Sequence, residues 1–143
     1  MNSIANPVQT AHVIKAMLSP QSIVIMGASE QLTKINGRPL KFLLEKGYQG
    51  KIFLVNPKYS EIAGLTCYPS LDKIDAIPDM AIIALPASQV CETIVALGNK
   101  GVPSAIVFSS GFGEIGPDGK ELEKELLEVA RKSGVRICGP NCL

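Results

Sequence analysis

The chain reads as an α/β protein, a doubly wound and mostly parallel sheet with helices on both faces. Three observations carry that reading. Short β-branched runs alternate with amphipathic helical stretches along the whole sequence. Two of the runs, Ile23–Ala28 and Met80–Leu85, are apolar throughout rather than at every second residue, as strands covered on both sides require. Each strand-like run then stops at Gly, Pro, Ser or Asn. The length of 143 residues fits one domain, and 46% hydrophobic against 19% charged residues is a globular composition.

Taken in order, Ala11–Leu18 predicts a short helix stopped by Ser19-Pro20. Ser22–Met26 is the first strand and Gly27–Gly37 a polar loop. Pro39–Lys46 is helical, with Leu40, Leu43 and Leu44 on one face and Gly47 as its stop. Lys51–Val55 is the second strand, ended by Asn56-Pro57. Lys58–Pro78 reads as irregular, broken by Gly64, Pro69 and Pro78. Met80–Leu85 is the third strand. Ser88–Lys100 is a helix with Ser88 as its N-cap and Val90, Ile94 and Leu97 as its buried stripe. Ala105–Phe108 is the fourth strand. Lys120–Lys132 is the most charged helix. Leu122, Leu126, Leu127 and Ala130 face inward, and Lys124–Glu128 and Glu128–Lys132 are placed to pair. Val135–Cys138 is the fifth strand.

Composition excludes several function classes. With 14 basic and 13 acidic residues the net charge is +1, so no global field attracts nucleic acid or an anionic membrane. Aromatic residues make up 5% and Trp is absent, which argues against a stacking platform for single strands. The apolar runs stop well short of the ~20 residues of a membrane span. Met1–Thr10 carries no basic start and no apolar core, so a cytoplasmic location without a secretory signal is expected. Cys67, Cys91, Cys138 and Cys142 contain no CxxC pair and read as buried or half-buried free thiols. The one histidine, His12, reads as a surface residue.

In a doubly wound sheet, ligands sit beyond the carboxyl ends of the strands. Those ends read Gly27-Ala28-Ser29, Asn56-Pro57-Lys58, Leu85-Pro86-Ala87, Ser109-Ser110-Gly111 and Gly139-Pro140-Asn141. All five ends carry small, proline or hydroxyl residues that leave room for a ligand. The first turn lacks the full GxGxxG dinucleotide fingerprint, with Ser29 and Leu32 where further glycines would fall. The second strand ends without the acidic residue that NAD enzymes use for the ribose 2′-hydroxyl. Lys58 stands there instead, and Lys34 and Arg38 flank the next helix start. That set suits a nucleotide with an extra ribose phosphate, and both coenzyme A and NADP qualify. No nucleophile–base pair is evident, and no GxxxxGK[ST] loop occurs. Cys142 has a nucleophile's chemistry but no base near it in sequence, and Glu30 and Glu114 read as solvent-facing.

One family shares these pieces in this order: Ser22–Ser29, Asn36–Leu40, Val55–Tyr59, Cys67–Leu71, Ser110–Phe112 and Gly139–Leu143. The chain resembles the N-terminal CoA-binding, Rossmann-like domain of the NDP-forming acyl-CoA synthetases. That family includes ADP-forming acetate–CoA ligase and, more distantly, the α subunit of succinyl-CoA synthetase. The resemblance covers residues 18–143 and leaves 1–17 as an N-terminal helical extension. It implies CoA as ligand, with Gly27, Ala28, Ser29 and Lys34 at its phosphates and Asn56, Pro57 and Lys58 at the adenosine end. Pro86 and Ala87 would lie beside the nucleotide, Phe108, Ser109 and Ser110 along the CoA, and Asn141 near the thiol arm. The family reaction joins an acid to CoA with hydrolysis of a nucleoside triphosphate, through an acyl phosphate and a phosphohistidine. The resemblance places that histidine in a following domain, and His12 does not match it. The expectation is a binding module, inactive alone, whose partners are CoA or acyl-CoA and the other synthetase domains. Two alternatives are an NAD(P)-binding domain of an oxidoreductase and a CoA-sensing domain of a lysine acetyltransferase.

Overall fold

The computed structural model describes residues 7–142. The start of the expected N-terminal extension, Met1–Asn6, and Leu143 lie outside the described residues. Seven strands form one sheet: β1 (Ser22–Met26), β2 (Lys51–Val55), β3 (Glu61–Ile62), β4 (Leu65–Tyr68), β5 (Met80–Ile83), β6 (Ser104–Val107) and β7 (Arg136–Cys138). Their order is β3-β4-β2-β1-β5-β6-β7, and every pairing is parallel except β3 with β4. The helices are α1 (Pro7–Leu18), α2 (Arg38–Glu45), α3 (Val90–Lys100) and α4 (Pro117–Ser133).

Strand alternation sorts the core into two halves. Val24 and Met26 of β1, with Ala81 and Ile83 of β5, pack against Val90, Ile94 and Leu97 of α3 and Leu126 of α4. Ile23, Ile25, Met80 and Ile82 face the other way, onto Leu40 of α2 and Met17 of α1. Both sheet faces are therefore covered, as the continuous apolar runs predict. No helix among the described residues is long and apolar enough to cross a membrane.

The differences from the sequence reading have local causes. The segment read as irregular contains the β3–β4 hairpin. Its two-residue turn, Ala63-Gly64, has φ of 51° and 78°, the doubly positive geometry of a tight hairpin. Alanine does not advertise that geometry, and β3, at two residues, carries no period. The third strand ends at Ile83, two residues early. A 3₁₀ turn over Ala87–Gln89 precedes α3, and no side chain caps that helix, so Ser88 is not an N-cap. α4 starts three residues early because Pro117 is pre-set for a first helical turn and Asp118 suits the helix dipole. Gly119, in that turn, admits no side chain: a Cβ would lie 1.7 Å from the Phe112 carbonyl oxygen. Leu44 and Leu127 are exposed, so neither belongs to an inward stripe. Lys124 pairs with Glu121 at 2.8 Å, not with Glu128. His12 is exposed, as expected, but so is Cys138.

The opposite end of the sheet is held by Asp79. Its carboxylate accepts the N–H groups of Gln21 at 2.8 Å and Ser22 at 3.2 Å, and its own N–H donates to Ser22 Oγ at 3.0 Å. This locks the starts of β1 and β5 together and leaves the carboxyl ends open for a site.

The corrected α4 stripe is directly testable. Leu126→Ala removes a side chain with no exposed surface and is expected to cost about 2–5 kcal/mol in urea unfolding. Leu127→Ala, at 41% exposure, is expected to cost well under half as much. Equal losses would restore the original four-residue stripe.

Candidate functional site

The strand order reverses at β1: the chain passes to β2 on one side and returns to β5 on the other. A crevice opens beyond the carboxyl ends at such a point. Here it is a cleft of about 1020 Å³ between the ends of β1, β2 and β5 and the polar face of α3. A smaller recess of about 530 Å³ adjoins it, and the two share Asn36, Ala84, Leu85 and Pro86.

Gly27 makes the crevice possible. It turns with φ of 85°, and a Cβ there would lie 2.6 Å from the Ala84 carbonyl oxygen and 2.7 Å from Leu85 Cδ2. The N–H groups of Gly27 and Ala28 both donate to the Val55 carbonyl, at 2.9 and 3.2 Å. Those two donors hold β1 to β2. Ala28 is fully buried, and Ser29 Oγ accepts the Gln31 N–H at 3.1 Å, shaping the loop that follows.

Asn56 braces the same corner. Its amide donates to the Ala28 carbonyl at 2.8 Å, and its side-chain oxygen accepts the Lys58 N–H at 2.9 Å. The second bond turns the chain so that Pro57 and Lys58 line the large cleft, with Lys58 exposed. Cys67 Sγ approaches the Asn56 carbonyl at 3.6 Å, and burial pushes its thiol up.

The chain ends that follow β5 and β6 meet at the ridge between the hollows. Ser109 Oγ donates to the Leu85 carbonyl at 2.5 Å. Ser109, Ser110 and Phe108 line the recess with Lys34 and Arg38. No acidic residue lines that recess, so its two cations set a local positive charge. The large cleft is more balanced, with Lys58 and Lys100 opposite Asp72 and Glu92.

Of the thirteen residues expected at the site, nine line these hollows: Gly27, Lys34, Asn56, Pro57, Lys58, Pro86, Phe108, Ser109 and Ser110. Ala28, Ser29, Ala87 and Asn141 do not. Ala87 supports Gly111, whose Cβ position is 3.3 Å from the Ala87 Cβ. Asn141 donates its N–H to the Ser109 carbonyl at 2.9 Å. The sequence reading missed the α3 wall, where Gln89, Glu92, Thr93, Ala96, Asn99 and Lys100 face the cleft. Their spacing of three and four residues is a helical face beside the apolar stripe, a signal present in the sequence. Lys100 Nζ donates to the Ile74 carbonyl at 2.5 Å, which ties that wall to the loop before β5.

Glu114 also has a role the sequence did not suggest. It is exposed, but its carboxylate accepts the N–H groups of Gly111 and of Phe112, the latter at 3.1 Å. The Gly111 N–H first, then its own and that of Phe112, hold its carboxyl below the usual range. A depressed folded value makes the clamp complete above the unfolded pKa and lost as pH falls through the folded one. The Gly111 and Phe112 amide resonances are thus expected to titrate together, with a midpoint below the ordinary glutamate value of about 4.3. Glu114→Gln should abolish that titration. A midpoint at or above the ordinary value would refute the clamp.

Comparison with known proteins agrees with this geometry. The family described as "CoA binding domain" matches residues 21–143. Acetate–CoA ligase [ADP-forming] I of Archaeoglobus fulgidus is 42% identical over 130 residues, 91% of this chain and 19% of that protein. The α subunit of acetate–CoA ligase [ADP-forming] I of Pyrococcus furiosus is 42% identical over 132 residues, 90% of this chain and 29% of the subunit. The solved apo structure of a dinucleotide-forming acetyl-coenzyme A synthetase 1 from Ca. Korarchaeum cryptofilum superposes with a TM-score of 0.84. It shares 38% identity and covers 90% of this chain and 28% of that one. The chain thus spans less than a third of these relatives.

Proposed function

The chain belongs to the CoA binding domain family, and from that premise we propose that its paired hollows hold coenzyme A or an acyl-CoA. The observation that supports this most is the pairing itself. A roomy cleft with a lysine at its rim joins, across Leu85-Pro86, a recess whose charged residues are both cations. Coenzyme A has matching parts: a bulky adenosine with a 3′-phosphate, a diphosphate, and a thin arm ending in a thiol.

In this reading Lys58 takes the 3′-phosphate, with Asn56 and Pro57 shaping the wall beside it. The N–H groups of Gly27 and Ala28 are committed to Val55, so these residues contribute space and backbone placement rather than phosphate donors. Lys34 and Arg38 supply the charge for the diphosphate, by point attraction and by a planar fork respectively. Pro86, with Ala87 behind it, forms the ridge under the nucleotide, and Phe108, Ser109 and Ser110 line the arm. Ser29 and Asn141 act through the loops they hold. The bound group would supply a thiol that accepts an acyl group. This chain's part is to bind and orient it.

We further propose that the domain serves an ADP-forming acid–CoA ligase and needs the other synthetase domains or subunits for turnover. The cations and small residues that line the two hollows are groups that bind and orient a phosphorylated ligand, which supports a holding role. The expected location is the cytoplasm, where CoA and nucleoside triphosphates meet.

Calorimetric titration with CoA, dephospho-CoA, NADPH and NADH tests the assignment. CoA is expected to bind and the nicotinamide nucleotides to bind weakly or not at all. Lys58→Ala should lose about 1–3 kcal/mol for CoA and far less for dephospho-CoA. Equal loss for both would remove Lys58 from the 3′-phosphate, and tight NADPH binding without CoA binding would overturn the proposal.

A further inference from the structure

β7 ends at the same edge of the sheet as the cleft, and the chain then turns back through Gly139-Pro140. The turn sets Cys142 against Cys138, with their sulfurs 3.7 Å apart. Two backbone bonds to the β6 end hold this arrangement without help from the sulfurs. Asn141 N–H donates to the Ser109 carbonyl at 2.9 Å, and Cys142 N–H donates to the Val107 carbonyl at 3.1 Å. Asn141 takes the left-handed conformation, φ 54°, that brings the next residue round. Cys138 is exposed and Cys142 half-buried, so a small reagent in solvent reaches the first and the second waits behind it. Among the described residues no group of three or more potential metal ligands occurs, so the pair stands as two thiols alone.

We propose that Cys138 and Cys142 are a dithiol site that exchanges with low-molecular-weight disulfides and closes to an intramolecular disulfide. The inference does not rest on the CoA reading. The Cys138 thiolate attacks one sulfur of the disulfide RSSR, forms Cys138–S–S–R and releases RS⁻. The Cys142 thiol gives up its proton, attacks Cys138 Sγ and releases the second RS⁻. Two protein thiols are oxidised, one RSSR is reduced to two RSH, and the two protein protons end on the released thiols. Burial, then the neighbouring Cys138, push the Cys142 thiol up, which leaves the first attack to the exposed Cys138. In the second, intramolecular step proximity offsets the smaller thiolate fraction of Cys142. The sulfurs have to close from 3.7 Å to a bond of about 2.05 Å. Cys67, buried, and Cys91, half-buried on α3, have no such neighbour and serve as internal controls.

The test is a titration of the intact chain with mixtures of oxidised and reduced glutathione, followed by acid quenching, trypsin digestion and mass spectrometry. Cleavage after Arg136 leaves both cysteines in one peptide, residues 137–143. The wild-type peptide is expected to lose two hydrogens, carry no glutathione, and regain both hydrogens with dithiothreitol. Cys142→Ser should stop at one glutathione on Cys138, because the resolving thiol is gone. Free thiols across the whole series in the wild-type peptide, or a lasting glutathione adduct that never closes, would overturn the proposal.

Discussion

The site depends on one steric constraint, the lack of room for any side chain at Gly27. A Cβ there would lie well inside van der Waals contact with the Ala84 carbonyl and the Leu85 side chain, in a backbone conformation that L side chains avoid. Because that space is empty, β1 can turn sharply over β5 and still give two N–H groups to Val55 at the end of β2. Three strand ends are drawn to one corner by that turn. Asn56 then bridges the corner from the other side, holding Ala28 with its amide and the Lys58 backbone with its oxygen. The large cleft, the ridge at Leu85-Pro86 and the exposed position of Lys58 all follow from this packing.

The parts of the fold legible in the sequence were those written in apolar runs. Ile23–Met26 and Met80–Ile83 have one environment on each face, and the structure fills both. The illegible parts were set by backbone conformation or by tertiary partners. Ala63-Gly64 carries a tight hairpin with no asparagine to mark it, and Glu114 was read as a surface charge because its partners are main-chain N–H groups. At the site, sequence position located the strand-end loops, since topology alone puts them together. It did not separate residues that line the hollows from those that hold the loops, such as Ser29 and Asn141. The α3 wall is hidden in the sequence because Gln89, Glu92, Asn99 and Lys100 have the composition of an ordinary solvated helix face.

Charge shows the same contrast between the whole and the local. The net charge of +1 speaks against a global field but hides a local one, because the charges are unevenly distributed. The recess has Lys34 and Arg38 with no acidic lining residue, while the large cleft sets Asp72 and Glu92 against Lys58 and Lys100. An anionic group is favoured in the recess and at the cleft rim, and a neutral, hydrogen-bonding ring in the cleft interior. That division matches a molecule whose charge lies in its phosphates and whose base and arm are uncharged. The proposed holding role accords with a chain that spans 19% and 29% of its ligase relatives.

The central claim is that ligand binding is confined to the carboxyl ends of the strands around Gly27. Amide chemical-shift mapping on the isotopically labelled chain during titration with CoA tests it most directly. Shifts are expected at Gly27, Lys58, Leu85 and Ser109–Gly111, with Gln21, Ser22 and Asp79 at the opposite end unmoved. Shifts centred on that opposite end, or none at saturating CoA, would contradict the account.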